Sequence, residues 1–154
     1  MIVSLLKLIT KNMNSFTIEK DGIKYLTRHY VFGKDREWGN IFIHHFHRSD
    51  MDMGEGGFGL LHNHPFDWSF SFILASGYVE ERRTADGKVE IRIVNPFTFN
   101  FISKKIFHRV DLLDEENGCW SIFFTGSRKN NTWGFWDRVT NKFIPFKDVV
   151  GAIE

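Results

Sequence analysis

Leu60-Leu61-His62-Asn63-His64-Pro65-Phe66-Asp67 is the stretch that decides how this chain folds. Side chains alternate along an extended strand, so His62 and His64 share one face, about 7 Å apart. Neutral imidazole is a good ligand for zinc, iron, copper and nickel, and two so placed can converge on a single ion. A third ligand has to come from another strand. His108 is the best candidate, because it opens His108-Arg109-Val110-Asp111-Leu112, in which His108, Val110 and Leu112 share a face. A histidine on an otherwise apolar face needs a partner once that face is buried.

Outward from this segment the chain reads as short strands separated by turns. Upstream lie Phe16-Thr17-Ile18, an Asp21-Gly22 hairpin signal, Ile23 to Leu26, Tyr30 to Phe32 and the strongly β-like Ile41 to His47. Gly54 to Gly59 is glycine-rich and reads as a loop beside the histidines, placed to act as a lid. Downstream come Ser69 to Leu74, a Ser76-Gly77 turn, Tyr78 to Thr84, an Asp86-Gly87 hairpin and Val89 to Val94. Phe97 to Ile102, Phe107 to Leu113, Trp120 to Thr125 and the aromatic Trp133 to Trp136 complete the series. No long segment keeps a helical period, so the pattern predicts an all-β barrel or sandwich.

The 154 residues fit one domain, and no linker or repeat divides 1–154. Seventeen Phe, five Trp and three Tyr in so short a chain suit a packed interior and argue against disorder. Twenty Lys and Arg against 19 Asp and Glu leave a net charge of +1, which supplies no electrostatic reason to expect nucleic acid or an anionic membrane as partner. Cys119 is the sole cysteine, which excludes an intrachain disulfide, and its apolar surroundings predict a small buried hydrophobe. Met1 to Ile9 is apolar but too short to span a bilayer, and lacks the marks of a secretory signal. It is expected to pack on the body as a short helix or strand, in a soluble, cytoplasmic protein.

The histidine segment and the strands downstream of it resemble the cupin superfamily. Gly56 stands at the family's distance before His62-Asn63-His64, Leu74-Ala75-Ser76-Gly77 resembles the turn that closes the first motif, and Pro96 with His108 resembles the second motif. The likeness runs from about Tyr25 to Phe124, so the cupin core is expected over roughly 25–125. It implies a double-stranded β-helix (jelly-roll) barrel with a short N-terminal extension, and a homodimer. Three positions depart from the pattern. The family glutamate falls at Ser69, a serine (Ser76) stands where the closing glycine is counted, and the asparagine expected after the second-motif histidine is Leu112. Asp67 is the nearest carboxylate and can reach inward after the bend at Pro65. The site therefore resembles the three-histidine cupins, a class that includes thiol dioxygenases. That resemblance implies one divalent metal, Fe(II) first and zinc, manganese or nickel as alternatives, held by His62, His64 and His108, with Asp67 as a further candidate.

Other residues offer secondary roles. In Ile41 to His47 alternation puts His44 with Phe42 and Phe46, and His45 and His47 with Ile41 and Ile43, leaving open which face is interior. If the phenylalanine face is interior, His44 is a pocket residue, a general acid–base or a support for the metal ligands. Arg48 and Asp50 are expected to form a structural pair, and Arg109 to pair with an acid outside the barrel. Glu80 and Glu81 are taken as solvent-facing hairpin acids unless alternation turns one inward. Trp133, Phe135 and Trp136 are expected to pack rather than to stack on a ligand. Three functions stand: a metal-dependent, dioxygenase-like enzyme on a small molecule; a non-catalytic small-molecule-binding cupin; and a metal-free sugar isomerase or epimerase using a histidine and Tyr78.

Overall fold

Trp68–Ala75 shows how the pattern becomes a strand. Ser69, Ser71 and Ile73 point inward and alternate with more exposed neighbours. The computed structural model of the protein describes residues 1–20, 22–34, 38–50, 60–128 and 133–150. The elements run α1 (Ile2–Thr10), β1 (Ser15–Lys20), β2 (Ile23–Tyr30), β3 (Asn40–Phe46), β4 (Leu60–His62), β5 (Trp68–Ala75) and β6 (Tyr78–Arg83). They continue with β7 (Val89–Val94), β8 (Phe99–Ser103), β9 (Phe107–Leu112), β10 (Cys119–Thr125), β11 (Gly134–Asp137), β12 (Lys142–Pro145) and α2 (Phe146–Val150). Asp21 of the first hairpin signal, and Gly56 with the rest of the Gly54–Gly59 loop, lie outside the described residues.

Two six-stranded sheets form, in the orders β1-β2-β3-β10-β5-β8 and β12-β11-β4-β9-β6-β7, and their pairings are antiparallel. The chain passes back and forth between the sheets, as a jelly roll does. The expected all-β barrel with an N-terminal extension is what forms. Ile73, Tyr78, Val94, Val110 and Cys119 make the core between the sheets. The extension is helical: α1 lays Leu6 on Ala75 and Trp120 on the outside of one sheet. No described helix is long and apolar enough to cross a membrane.

The Ser76-Gly77 turn carries backbone that favours glycine. Ser76, at the position where the resemblance counts a glycine, has φ 64°, and Gly77 after it has φ 146°. A Cβ on Gly77 would lie 2.6 Å from the Val94 carbonyl oxygen, so only glycine lets these two segments approach.

Cys119 is fully buried, and burial pushes its thiol from 9.0 up to about 12. The thiolate is the reactive form, so Cys119 is expected to resist a thiol-specific reagent at pH 8 in the folded protein and to react stoichiometrically in denaturant. The folded state also holds this proton longer than the unfolded chain. Its contribution therefore lowers stability as pH rises from about 9 towards 12. Labelling kinetics read by mass spectrometry check the first point, and alkaline melting of a Cys119→Ala variant checks the second.

Candidate metal centre

β4 is only three residues long and ends at His62, yet the alternation expected through His64 persists beyond it. Leu61 and Asn63 are buried on one side, while His62 and His64 line the cavity on the other. Asn63 explains how the chain stays extended without strand pairing. Its Nδ2 donates to the Lys104 carbonyl at 3.0 Å, and its Oδ1 accepts from the Gly134 amide at 2.8 Å. His108 arrives from β9, whose register sets it directly opposite His62. One ring nitrogen from each of His62, His64 and His108 lies within 4.8 Å of the others.

Partners on the far side of the rings decide what the near side can do. A carboxylate only accepts, so Glu80 Oε1 at 2.7 Å takes the Nδ1 proton of His108. Ser69 donates its hydroxyl to the Ile102 carbonyl and so accepts from His64 Nδ1 at 3.1 Å. Each ring then presents a bare Nε2, and these two atoms face each other 3.0 Å apart. Two facing lone pairs repel unless a cation lies between them. Ligand nitrogens about 2.0–2.1 Å from one metal ion and at right angles stand about 3 Å apart. The third ring has a carboxylate behind it but no hydrogen bond to it: His62 Nδ1 lies 3.6 Å from Asp50 Oδ2. Histidine ligands backed by acceptors are typical of metal sites. Burial, then the neighbouring His108, holds His62 and His64 well below the ordinary 6.5, so both are neutral and available as ligands at pH 7. The residues present fit a divalent ion.

Glu80 is no hairpin surface acid. β6 turns Tyr78, Glu80 and Arg82 inward, and Glu80 is completely buried. Arg92 Nε reaches its Oε2 at 2.7 Å, Arg82 lies at 3.2 Å, and Asn100 Nδ2 donates to its Oε1 at 3.0 Å. Burial alone would raise this carboxyl. The His108 hydrogen bond, the charge of Arg82 and the Asn100 hydrogen bond overcome that and hold it well below the usual range. Asp50 does not pair with exposed Arg48. It accepts from Tyr25 Oη and from the Val110 amide at 2.7 Å, and burial pushes it up to about 7.

Asp67 does not join the histidines. The chain bends at Pro65 into a Phe66–Arg128 bridge, and Asp67 turns to Lys104 Nζ at 3.2 Å. Asp67→Asn is therefore expected to leave bound metal unchanged, as elemental mass spectrometry will read. His44 does face the cavity, along with Phe46, and packs on Phe42, while His45 and His47 lie on the outer face near Trp120. The His44 ring stacks on Phe123 at 4.5 Å and neither nitrogen has a hydrogen-bond partner. Burial, then the charge of Arg28, keeps it neutral. Arg109 pairs with Asp111 at 3.0 Å, as expected of an outward arginine.

The cavity has a volume of about 470 Å³, ordinary for a small-molecule site. Segments beyond the expected core help to line it, with Phe16 and Ile18 from β1 and Trp133, Phe135 and Phe146 from the C-terminal part. Trp133 packs on Phe146 at 3.7 Å and also reaches the cavity, whereas Trp136 lies outside against Phe107.

No protein-family model and no curated protein matches the sequence. Solved structures do. Fe(II)-HppE with the alternative substrate (S)-1-HPP superposes at a TM-score of 0.56 with 9 % identity, over 75 % of this chain and 57 % of that one. Oxalate decarboxylase from B. subtilis gives 0.54 with 12 % identity, over 79 % and 29 %. Streptomyces albus HEPD, holding 2-hydroxyethylphosphonate and Fe(II), gives 0.54 with 13 % identity, over 73 % and 25 %. All three are cupin-fold proteins. The chain has the cupin fold. This cupin spans just over half the length of HppE and less than a third of the other two, so the likeness carries the architecture alone.

Proposed function

We propose that this cupin is a metal-dependent enzyme acting on a small molecule, with His62, His64 and His108 holding one divalent ion. The observation that carries the reading is the pair of bare Nε2 atoms facing each other at 3.0 Å, with a ring nitrogen of His62 nearby. When bound, the metal supplies open coordination positions and Lewis-acid or redox chemistry. Iron is favoured over zinc, manganese or nickel because two of the similar structures hold Fe(II), and an all-imidazole donor set accepts it. Residues 1–154 act as one cupin unit in this proposal.

The protein's own groups do the rest. Glu80 and Ser69 aim two of the rings, and Asp50 stands behind the third. The aromatic wall excludes water and strengthens polar contacts inside. Neutral His44, with one N–H and one lone pair free of protein partners, can give or take a proton at a substrate atom. The metal-free isomerase reading is weaker, because burial and then the charge of Glu80 raise the Tyr78 phenol, which makes it a poor proton donor and leaves no phenolate to act as base.

The test is anaerobic loading of the purified protein with Fe(II), then oxygen uptake on adding candidate substrates. Substrate-dependent uptake is the expected result. Ligand-induced stabilisation without turnover would instead make it a binding module, and a protein that refuses every divalent ion would end the metal reading.

We also propose a homodimer built on the edge strands. Ile91 (72 % exposed) on β7 and Phe99 (70 %) on β8 leave apolar edges open to water. Such edges invite pairing with another chain. Phe99→Lys is expected to convert a dimer to a monomer in size-exclusion chromatography with light scattering.

A further inference from the structure

Register across one sheet sets Arg28 opposite His44, and His44 opposite Ser121. All three line the cavity on the sheet facing the strands that carry the metal ligands. Two members of this polar row lack partners. The Arg28 Nε and both His44 nitrogens are buried without a hydrogen bond, and His44 is only 2 % exposed. Among the described residues no carboxylate pairs with Arg28, and its guanidinium meets only the Phe42 ring at 6.0 Å, the outer limit of a cation–π contact.

Arg28 is half-buried, and a guanidinium that faces a cavity with its Nε cut off from water and from acceptors is costly unless something neutralises it. Among the described residues, the two carboxylates near the cavity, Glu80 and Asp50, are already engaged. Glu80 is shared by His108, Arg82 and Arg92, and Asp50 by Tyr25, Val110 and His62. Arg128, exposed at the cavity and felt by Arg28 as a like charge, adds to the positive potential. A divalent ion on three neutral histidines, with no carboxylate ligand, would raise it further. Much of the remaining wall is apolar and includes Phe16, Ile18, Leu26, Phe123, Trp133 and Phe135.

The geometry points to an oxyanion subsite. Arg28, with His44 beside it, holds the carboxylate or phosphonate of a small molecule whose apolar body lies on the aromatic wall. Arginine suits this task because its planar fork donates two parallel hydrogen bonds to one oxyanion. The substrate class rests on the proposed metalloenzyme function, but the subsite does not require the metal.

The probes are phenylacetate, benzylphosphonate and the neutral isostere phenylacetamide. Their binding is measured by calorimetry on Fe(II)-loaded protein and on chelator-stripped protein. At least one anion is expected to bind about tenfold or more tighter than the amide in both metal states, the scale of a charge-assisted bidentate contact. The stronger of the two anions names the head group. Arg28→Gln is expected to erase the preference while bound metal stays the same, and Arg28→Lys to keep part of it. Because removing an unpaired buried charge relieves a cost, Arg28→Gln should melt no lower than the parent.

A preference that survives Arg28→Gln, or none for either anion, overturns the proposal. So does a preference that vanishes on stripping the metal, which would place the anion on the ion. A collapse of folding in both Arg28 variants overturns it too, since Arg28 would then be structural. A protein that binds no metal, yet loses its anion preference with Arg28→Gln, would refute the metalloenzyme reading and leave the subsite standing.

Discussion

Glu80→Ala is expected to lower the free energy of unfolding by about 3–5 kcal/mol, the range for breaking a buried ion pair by deleting one partner. The cause is what remains. Arg82, 9 % exposed at its side chain, and Arg92 lose the carboxylate they share, and His108 loses the acceptor of its Nδ1 proton. Most of the loss is assigned to Arg82 and His108, because Arg92 is 39 % exposed and water can screen it. Urea titration gives the measurement. A second consequence separates the two tasks of Glu80. Losing a hydrogen-bond partner behind a metal ligand typically weakens metal binding about 10–100-fold. A double variant, Glu80→Met with Arg82→Met, should recover much of the stability, as apolar replacements of buried ion pairs do, but none of the metal affinity. If it recovers both, Glu80 has no part in holding His108 for a metal.

His108→Ala and His64→Ala are expected to abolish stoichiometric metal binding, weakening it by about 100-fold or more, beyond the range for supporting partners. His45→Ala, on the outer face of β3, should bind as the parent does. Elemental mass spectrometry after desalting reads the content directly. Thermal melting supplies a second reading. A ligand at about 100 times its dissociation constant stabilises by about 2.7 kcal/mol. Added metal should therefore raise the melting temperature of the parent and of His45→Ala, and leave His64→Ala and His108→Ala unmoved. Metal retained by both ligand variants would place the ion elsewhere.

Much of the architecture is legible from local pattern. Period-two alternation is local, so the strands, the shared face of His62 and His64, and the apolar company of His108 could be read from neighbouring residues. The resemblance supplied the barrel and the pairing of these strands. Asp67 shows the limit of such counting. It sits three residues after His64, but the bend at Pro65 turns it towards Lys104, which lies 37 positions away.

Alternation defines two faces without saying which is inside, because that depends on the opposing sheet. Tertiary structure therefore decided that His44 faces the cavity while His45 and His47 do not, and that Glu80 is buried while Glu81 reaches Arg138. The contacts that make the site chemical span long stretches of chain: His108 to Glu80 across 28 positions and to His64 across 44. The same holds for Arg28, which has no carboxylate partner among the described residues because of what packs around it. The sequence by itself determined strands, turns and the presence of a histidine set. Only the packing of two sheets determined which polar groups face one another, since burial and long-range hydrogen bonding depend on residues far apart in the chain.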